Sequence, residues 1–190
     1  MISRSTSKVK GKVTVVVRDA KTGKVLQVIT RENIITDRGR EFAAEAFAGY
    51  PSLARLGWFM DIGTGVCTPT ATDTDLCSPI IESTVRDETT YHFRRWWKSA
   101  SYHITQNTVI FHARWLPEDA NNYSICEEIL FVASGEAVSN LSRQDAWTSP
   151  EPLRNITATI GAKVVQHGAF SCIAKTPSIL LDIYVSITFT

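Results

Sequence analysis

Adjacent carboxylates at Glu127 and Glu128 are the first residues of this chain whose type and spacing suggest a reaction. Two carboxylates on either side of a glycosidic bond can act as general acid and as base or nucleophile. These two lie in a β-rich run, however, and successive residues of a strand point to opposite faces of its sheet. The pair therefore cannot flank one bond, and no distant aspartate stands out as a partner. We expect a protein without enzymatic activity, with a glycoside hydrolase using one of these glutamates as the alternative.

A run of cationic and aromatic side chains at residues 94–98 is the second chemical feature. Such side chains can stack on sugar rings or on bases, so the run is a candidate contact for a partner or a host-surface glycan. We do not expect nucleic acid. The alternative is that one tryptophan enters the core while the charged residues lie on an edge strand. A further tryptophan, in a long polar segment, either anchors a partner or covers the domain's own core. The candidate contact residues are Arg94, Arg95, Trp96, Trp97 and Trp147.

The four cysteines, Cys67, Cys77, Cys126 and Cys172, are too few and too scattered for a disulfide scaffold. Cys67 and Cys77 bracket a polar segment and could close it, but the N-terminus resembles no secretion signal, and a cytoplasm keeps thiols reduced. Cys126 and Cys172 lie in strand-like runs and are expected to be small buried hydrophobic residues. The chain lacks the closely spaced Cys or His pairs typical of zinc sites, so we expect no metal and no other cofactor.

The polar segment 65–79 contains Asp73 and Asp75 among several threonines. A calcium loop of the EF-hand type needs more oxygen ligands and a closing glutamate, which this segment lacks. Asp and Thr side chains also hydrogen-bond to their own backbone in turns. We therefore expect a turn cluster here instead of a calcium site.

Charge is divided unevenly along the chain. Residues 1–40 contain ten Lys/Arg and three Asp/Glu, a balance of +7, and the other 150 residues contain ten and sixteen, a balance of −6. We expect residues 1–8 to form a flexible basic arm, with Lys8, Lys10 and Lys12 as candidate contacts to the acidic body of a neighbouring copy. The alternatives are a solvated hairpin or a nucleic-acid contact. No apolar run is long enough for a membrane helix, and we expect no membrane association.

The pattern of the chain predicts a mainly β fold, an antiparallel β-sandwich formed by one domain over residues 9–190. Two β-branched runs around Asp19–Gly23 predict a hairpin over residues 12–30. Capping residues followed by a spaced apolar face predict one α-helix over residues 36–48. Strands are expected to fill most of the remainder, and the polar segments 65–79 and 135–155 are expected to protrude as loops.

Three ordered pieces of the sequence resemble a group of tailed-bacteriophage virion proteins. The first is Asn33–Gly39 with its following helix, the second combines Asp61–Gly65 with Pro69–Leu76, and the third is Ala120–Phe131. Members of this group have a structural role in tail fibres or tail appendages, are β-sandwich-like and work as oligomers. The resemblance implies a virion subunit that is made in the host cytoplasm and contacts copies of itself and other virion proteins.

The chain departs from this group in three places. Ile129 stands where a glycine is usual, the first basic hairpin is additional, and the segment 135–155 is longer than expected. These departures leave the position in the particle open among tail, neck and capsid surface. The alternatives to a tail or neck subunit are a carbohydrate-binding module at a receptor-binding fibre and a capsid decoration protein.

Overall fold

The computed structural model describes residues 8–49, 56–86, 91–134, 147–149 and 162–190, of which residues 47, 82–86, 91–95, 134 and 147–149 are described by their backbone alone. The chain is mainly β and antiparallel with one short helix, as the sequence predicts. The elements are β1 (Val9–Asp19), β2 (Val25–Ile35), α1 (Asp37–Phe47), β3 (Leu56–Gly63), β4 (Ile81–Arg86), β5 (Tyr91–Arg95), β6 (Lys98–Ser99), β7 (Ser101–Thr105), β8 (Thr108–Trp115), β9 (Ser124–Ser134), β10 (Trp147–Ser149), β11 (Lys163–Ala174) and β12 (Ile179–Phe189).

Nine of these strands form one antiparallel sheet in the order β6-β3-β9-β11-β2-β1-β12-β8-β7. The two margins of the sheet, β6 and β7, are separated in sequence by Ala100 alone, and its N–H donates to Trp58 O at 2.8 Å. The sheet therefore curls until it is nearly closed. Strands β10, β5 and β4 form a second, three-stranded sheet.

The predicted hairpin is present, and its strands are longer than the sequence suggests. Strands β1 and β2 each have 11 residues and pair from Gly11 with Asn33 to Arg18 with Val25. Asp19 Oδ1 closes the turn by accepting hydrogen bonds from the N–H groups of the two residues 21 and 22, at 3.1 and 2.7 Å. The short acidic side chain thus replaces a backbone acceptor in the turn.

The concave side of the large sheet holds the main hydrophobic core. Strand β12 shows how it forms, because Leu181, Ile183, Val185 and Ile187 alternate inward along the strand, as its sequence pattern predicts. Trp115, fully buried at the end of β8, donates its indole N–H to Trp96 O at 2.6 Å. The opposite face of β3, β9 and β11 carries a second buried cluster of Phe59, Leu76, Trp97, Ile129, Phe131, Ala133, Ala162 and Val164.

Helix α1 begins where Thr36 is fixed against strand β11. Its hydroxyl accepts from Gly39 N–H at 2.9 Å, which caps the helix, and donates to Val164 O. The N–H of Thr36 donates to Val165 O at 3.1 Å. A Cβ at Gly39 would lie 2.2 Å from Val165 O, so only glycine allows the first helical turn to approach the strand this closely.

The segment 65–79 does not protrude as expected. It folds back over the end of β3, where Thr64 N–H donates to Ser78 O at 2.9 Å and Gly63 pairs with Pro79. Leu76 is 5% exposed within the second core cluster, which explains why this polar segment lies against the sheet. Of the other predicted loop, 135–155, only residues 147–149 lie within the described residues. They form strand β10, paired with β5, and not a loop.

No helix among the described residues is long and apolar enough to cross a bilayer.

Candidate functional site

The carboxylate of Glu127, in strand β9, holds both ends of the segment 65–79. Its Oε1 accepts hydrogen bonds from Gly65 N–H at 2.9 Å and Ser78 N–H at 2.8 Å, and its Oε2 accepts one from Cys77 N–H at 2.9 Å. The Glu127 side chain is fully buried. Because this segment has no regular secondary structure, its buried N–H groups need other acceptors, and one carboxylate serves three of them.

His167, in strand β11, links Glu127 to the middle of the same segment. Its Nε2 lies 3.0 Å from Glu127 Oε2, and its Nδ1 lies 2.6 Å from Asp73 Oδ2. Asp73 also accepts the N–H of Thr70 at 2.8 Å, so the predicted turn cluster is present. The imidazole is fully buried between two carboxylates. The segment is thus fixed to the sheet at its ends and at its centre.

The protonation states of these groups follow from their contacts. Burial opposes ionisation of Glu127, but hydrogen bonds from His167 and from three backbone N–H groups outweigh it, and the pKa of Glu127 is lowered. Burial likewise opposes protonation of His167, but its two carboxylate partners outweigh that effect and raise the pKa of His167. These contacts therefore favour a protonated imidazole between two ionised carboxylates.

Glu128, the next residue, lies in a different environment. Its Oε1 accepts from Gln166 Nε2 at 2.6 Å, and burial raises the pKa of Glu128 to about 8. Both glutamates are 0% exposed, and their carboxylates have different partners. Neither side chain faces solvent where a substrate could reach it, and this geometry gives no support to the glycosidase alternative.

Two disulfides connect the four cysteines. Cys67 and Cys77 are bonded across the segment 65–79. Cys126 of β9 is bonded to Cys172 of β11, and this corrects the prediction that both are small buried hydrophobic residues. Cys126 is buried, but Cys172 is exposed. An irregularity between Ala169 and Ile173 in the pairing of the two strands places the two cysteines side by side.

Four side chains with metal-binding atoms meet at this site, although the sequence shows no metal motif. The Sγ atoms of Cys67 and Cys77, an oxygen of Glu127 and a ring nitrogen of His167 all lie within 4.8 Å of one another. Their positions in the chain span a hundred residues, so no local spacing could reveal the group. Glu127 and His167 lie within β9 and β11, and the two cysteines lie in the segment between β3 and β4, so only the folded sheet brings the four together.

The candidate stacking residues do not form an exposed aromatic surface. Trp96 and Trp97 are 5% and 9% exposed, and Trp97 packs beside Phe131 with ring centroids 5.8 Å apart. Trp96 lies in the main core and Trp97 in the second buried cluster, so neither ring is available for the predicted stacking on a glycan. Both tryptophans enter a core, where the sequence alternative allowed for one. The side chains of Arg94, Arg95 and Trp147 lie outside the described ones.

The three candidate lysines lie at the start of the first strand instead of in a loose arm. Lys8 exchanges backbone hydrogen bonds with Thr190 at 2.6 and 2.9 Å, and Lys10 and Lys12 lie in β1, where they pair with β12. All three lysine side chains are exposed. They are available for a partner, and residues 1–7 of the predicted arm lie outside the described residues.

A cavity of about 390 Å³ opens between helix α1 and the mouth of the curled sheet. Its lining is almost entirely apolar, and among its described residues Arg40 and Tyr102 alone carry ionisable side chains. The described lining residues therefore do not provide the converging acid and base groups of a hydrolytic site.

A second charged cluster lies on β12. Asp182, fully buried, accepts from Arg18 Nε at 3.0 Å and from Arg114 Nε at 2.7 Å, and lies 2.9 Å from His112 Nε2. Burial opposes ionisation of Asp182, but these three partners outweigh it and lower its pKa. The partners come from β1 and β8, so this cluster ties together three neighbouring strands.

The three motif pieces identified in the sequence meet around Glu127, His167 and the segment 65–79. Gly65 and Asp73 of the second piece contact the Glu127 and His167 pair, and Glu127 itself belongs to the third piece. Thr36 of the first piece donates its N–H to Val165 O of β11, two residues before His167. A search of family models gave no match to the chain. Searches of curated proteins and of solved structures also gave no significant match.

Proposed function

We propose that this chain is a structural subunit of a tailed-phage virion, a tail, fibre or neck appendage protein that assembles with copies of itself. The ordered motif resemblance supports the class of protein. The observation that carries the assembly step is the exposed apolar surface of the first hairpin.

Strand β2 presents hydrophobic side chains to solvent at Val25, Leu26 and Val28, which are 43%, 55% and 56% exposed. On the side away from β1, its pairing with β11 within the described residues is limited to Ile34 and Ile35. A long exposed strand with apolar side chains and unpaired backbone groups is a surface that proteins cover or use for association.

Charge supports a second copy as the occupant. Lys10 and Lys12 lie on the same hairpin, in the part of the chain that carries +7, whereas the remaining 150 residues carry −6. Two basic hairpins facing one another would repel, so the hairpin of one copy would dock on the acidic body of the next. This is a head-to-tail contact, which closes into a ring when the rotation between copies allows it.

The test is the oligomeric state of the whole chain by sedimentation velocity over a range of concentrations. Wild-type protein is expected to form a defined oligomer that weakens with added salt. The double variant Leu26→Glu/Val28→Glu, which removes the apolar contact and repels the acidic body of the next copy, is expected to be monomeric. The control is Val66→Glu, which introduces the same charge at a residue that is 85% exposed in the segment 65–79 and should leave assembly intact. A wild-type chain that stays monomeric at every concentration would contradict the proposal.

Position in the particle is tested separately. Immunogold electron microscopy of intact particles, with an antibody to this chain, is expected to label the tail or neck. Labelling over the whole capsid surface would support the decoration-protein alternative, and unlabelled particles would contradict a virion role.

A further inference from the structure

We propose that Cys67, Cys77, Glu127 and His167 bind one Zn²⁺ ion when the Cys67–Cys77 disulfide is reduced. The site is independent of the proposed assembly function, since it depends only on side chains within one chain. It also makes the segment 65–79 an element that can be closed in two ways, by a disulfide or by a metal.

The geometry of the four donor atoms fits a tetrahedral metal. They lie within 4.8 Å of one another, Glu127 Oε2 is 3.0 Å from His167 Nε2, and Cys67 Sγ is 3.8 Å from the same oxygen. Zn–N, Zn–O and Zn–S bonds of about 2.0–2.3 Å place neighbouring ligand atoms roughly 3.3–3.8 Å apart in a tetrahedron. The two sulfur atoms must separate from their bond, and Cys77 lies on the exposed edge of the segment where it has room to do so.

The surroundings of the ligands match those of metal-bound side chains. A metal-bound histidine usually donates its other ring N–H to a carboxylate, which fixes its tautomer and orientation. Asp73 Oδ2 occupies this position 2.6 Å from His167 Nδ1. The second oxygen of Glu127 is held by the N–H groups of Gly65 and Ser78, which leaves Oε2 oriented towards the cysteines. A Cβ at Gly65 would lie 2.3 Å from Glu127 Oε1, so the segment must approach closely at this residue.

The donor set selects the metal. Two thiolates, one imidazole and one carboxylate in a compact group, in which Glu127 and His167 are buried, favour Zn²⁺ over hard cations such as Ca²⁺ or Mg²⁺. A chain made in a reducing compartment would carry the two thiols before any disulfide formed.

A phosphine can supply the electrons needed to replace the Cys67–Cys77 disulfide by bound Zn²⁺. The disulfide accepts two electrons from tris(2-carboxyethyl)phosphine, water supplies the oxygen of the phosphine oxide, and its two protons produce two thiols. Zn²⁺ then displaces both thiol protons and the Nε2 proton of His167, so binding releases protons and strengthens as the pH rises.

The experiment uses Co²⁺ and Zn²⁺ with the full-length chain under anaerobic conditions. After reduction with tris(2-carboxyethyl)phosphine, one equivalent of Co²⁺ should give the intense visible absorption of tetrahedral coordination and a thiolate charge-transfer band. One equivalent of Zn²⁺ should abolish both. The oxidised wild-type chain should give neither signal, and it is a control that does not depend on any variant folding.

Variants separate this site from other thiols. Cys67→Ser/Cys77→Ser is expected to lose stoichiometric binding, whereas Cys126→Ser/Cys172→Ser, which removes the other disulfide, should keep it. Asp73→Asn retains all four ligands and should weaken binding by about 10–100-fold. The proposal is overturned if the reduced wild-type chain binds no stoichiometric metal, or if the Cys67→Ser/Cys77→Ser chain binds as tightly as wild type.

Discussion

His167 Nε2 lies 3.0 Å from Glu127 Oε2, and this contact joins neighbouring strands β11 and β9 at the place where the segment 65–79 is attached. Both side chains are fully buried. A buried carboxylate in this position is stabilised because it is paired with His167, whose pKa is raised, and because its remaining lone pairs accept backbone N–H groups. The conformation of the segment therefore depends on one charged side chain in the sheet beneath it.

Replacing that charge tests the dependence. Glu127→Gln keeps the shape of the side chain but places an amide NH₂ where two groups now donate to the carboxylate, and it leaves His167 without its buried partner. We expect a loss of about 3–5 kcal/mol in the free energy of unfolding. Urea denaturation followed by tryptophan fluorescence measures it. A loss below about 1 kcal/mol would show that the ion pair is not the anchor.

Replacing the neighbouring residue, Glu128, by glutamine is expected to increase stability at high pH, whereas the same change at Glu127 decreases it. Because burial raises the pKa of Glu128 to about 8 from 4.5, the folded state keeps a proton that the unfolded state loses. The contribution of Glu128 to stability is therefore complete below pH 4.5 and is lost as the pH rises towards 8. Glu128→Gln removes this loss, because the amide does not ionise. Each unit by which the pKa is raised corresponds to about 1.4 kcal/mol in the free energy of unfolding. Urea denaturation at pH 5 and pH 8 should show the variant gaining on wild type at the higher pH. An equal difference at both values would contradict the raised pKa.

Gly65 is required for the close approach of the segment to Glu127. A Cβ at this residue would lie 2.3 Å from Glu127 Oε1 and 2.8 Å from Cys77 Cβ. Gly65→Ala should therefore displace the segment and destabilise the fold by about 1–3 kcal/mol. Its neighbour Val66 is 85% exposed, so Val66→Ala should change stability by less than about 0.5 kcal/mol. Thermal denaturation of the two variants side by side makes the comparison, and equal midpoints would contradict it.

In the cluster on β12, replacing the buried aspartate should cost more stability than replacing one of its exposed cationic partners. Asp182 is 0% exposed and receives hydrogen bonds from two arginines, whereas the Arg114 side chain is 47% exposed. Asp182→Asn should cost about 1–3 kcal/mol, because all three partners lose the buried, charged acceptor that they share. Arg114→Gln should cost less than about 1 kcal/mol, since solvent can replace an exposed partner. Chemical denaturation would contradict the prediction if the two losses were equal.

Local patterns in the sequence predict the elements of this fold well. The hairpin around Asp19–Gly23 and the helix after Thr36 depend on turn and capping residues that act within a few positions of themselves. The alternation along β12 likewise predicts its buried face. These signals are local, and they require no knowledge of how the strands are ordered.

The site at Glu127 could not be predicted, because it depends on pairings between distant residues. Glu127 and His167 are forty positions apart, and only the register of β9 with β11 brings them together. The same register joins Cys126 to Cys172. Trp96 and Trp97 look like surface residues beside two arginines, and the second buried cluster that covers Trp97 becomes apparent only once the segment 65–79 is folded over the sheet.

The backbone exchange between Lys8 and Thr190 has a mechanical consequence. Strands β1 and β12 run antiparallel from this point, so tension applied between these two residues would pull on the same end of one ladder. The hydrogen bonds would then break one after another, as in a zipper, and not together as in shear. Tethers placed instead at residue 8 and at Ile179, the opposite end of β12, would load the ladder along its length, and we expect that arrangement to withstand a greater pulling force.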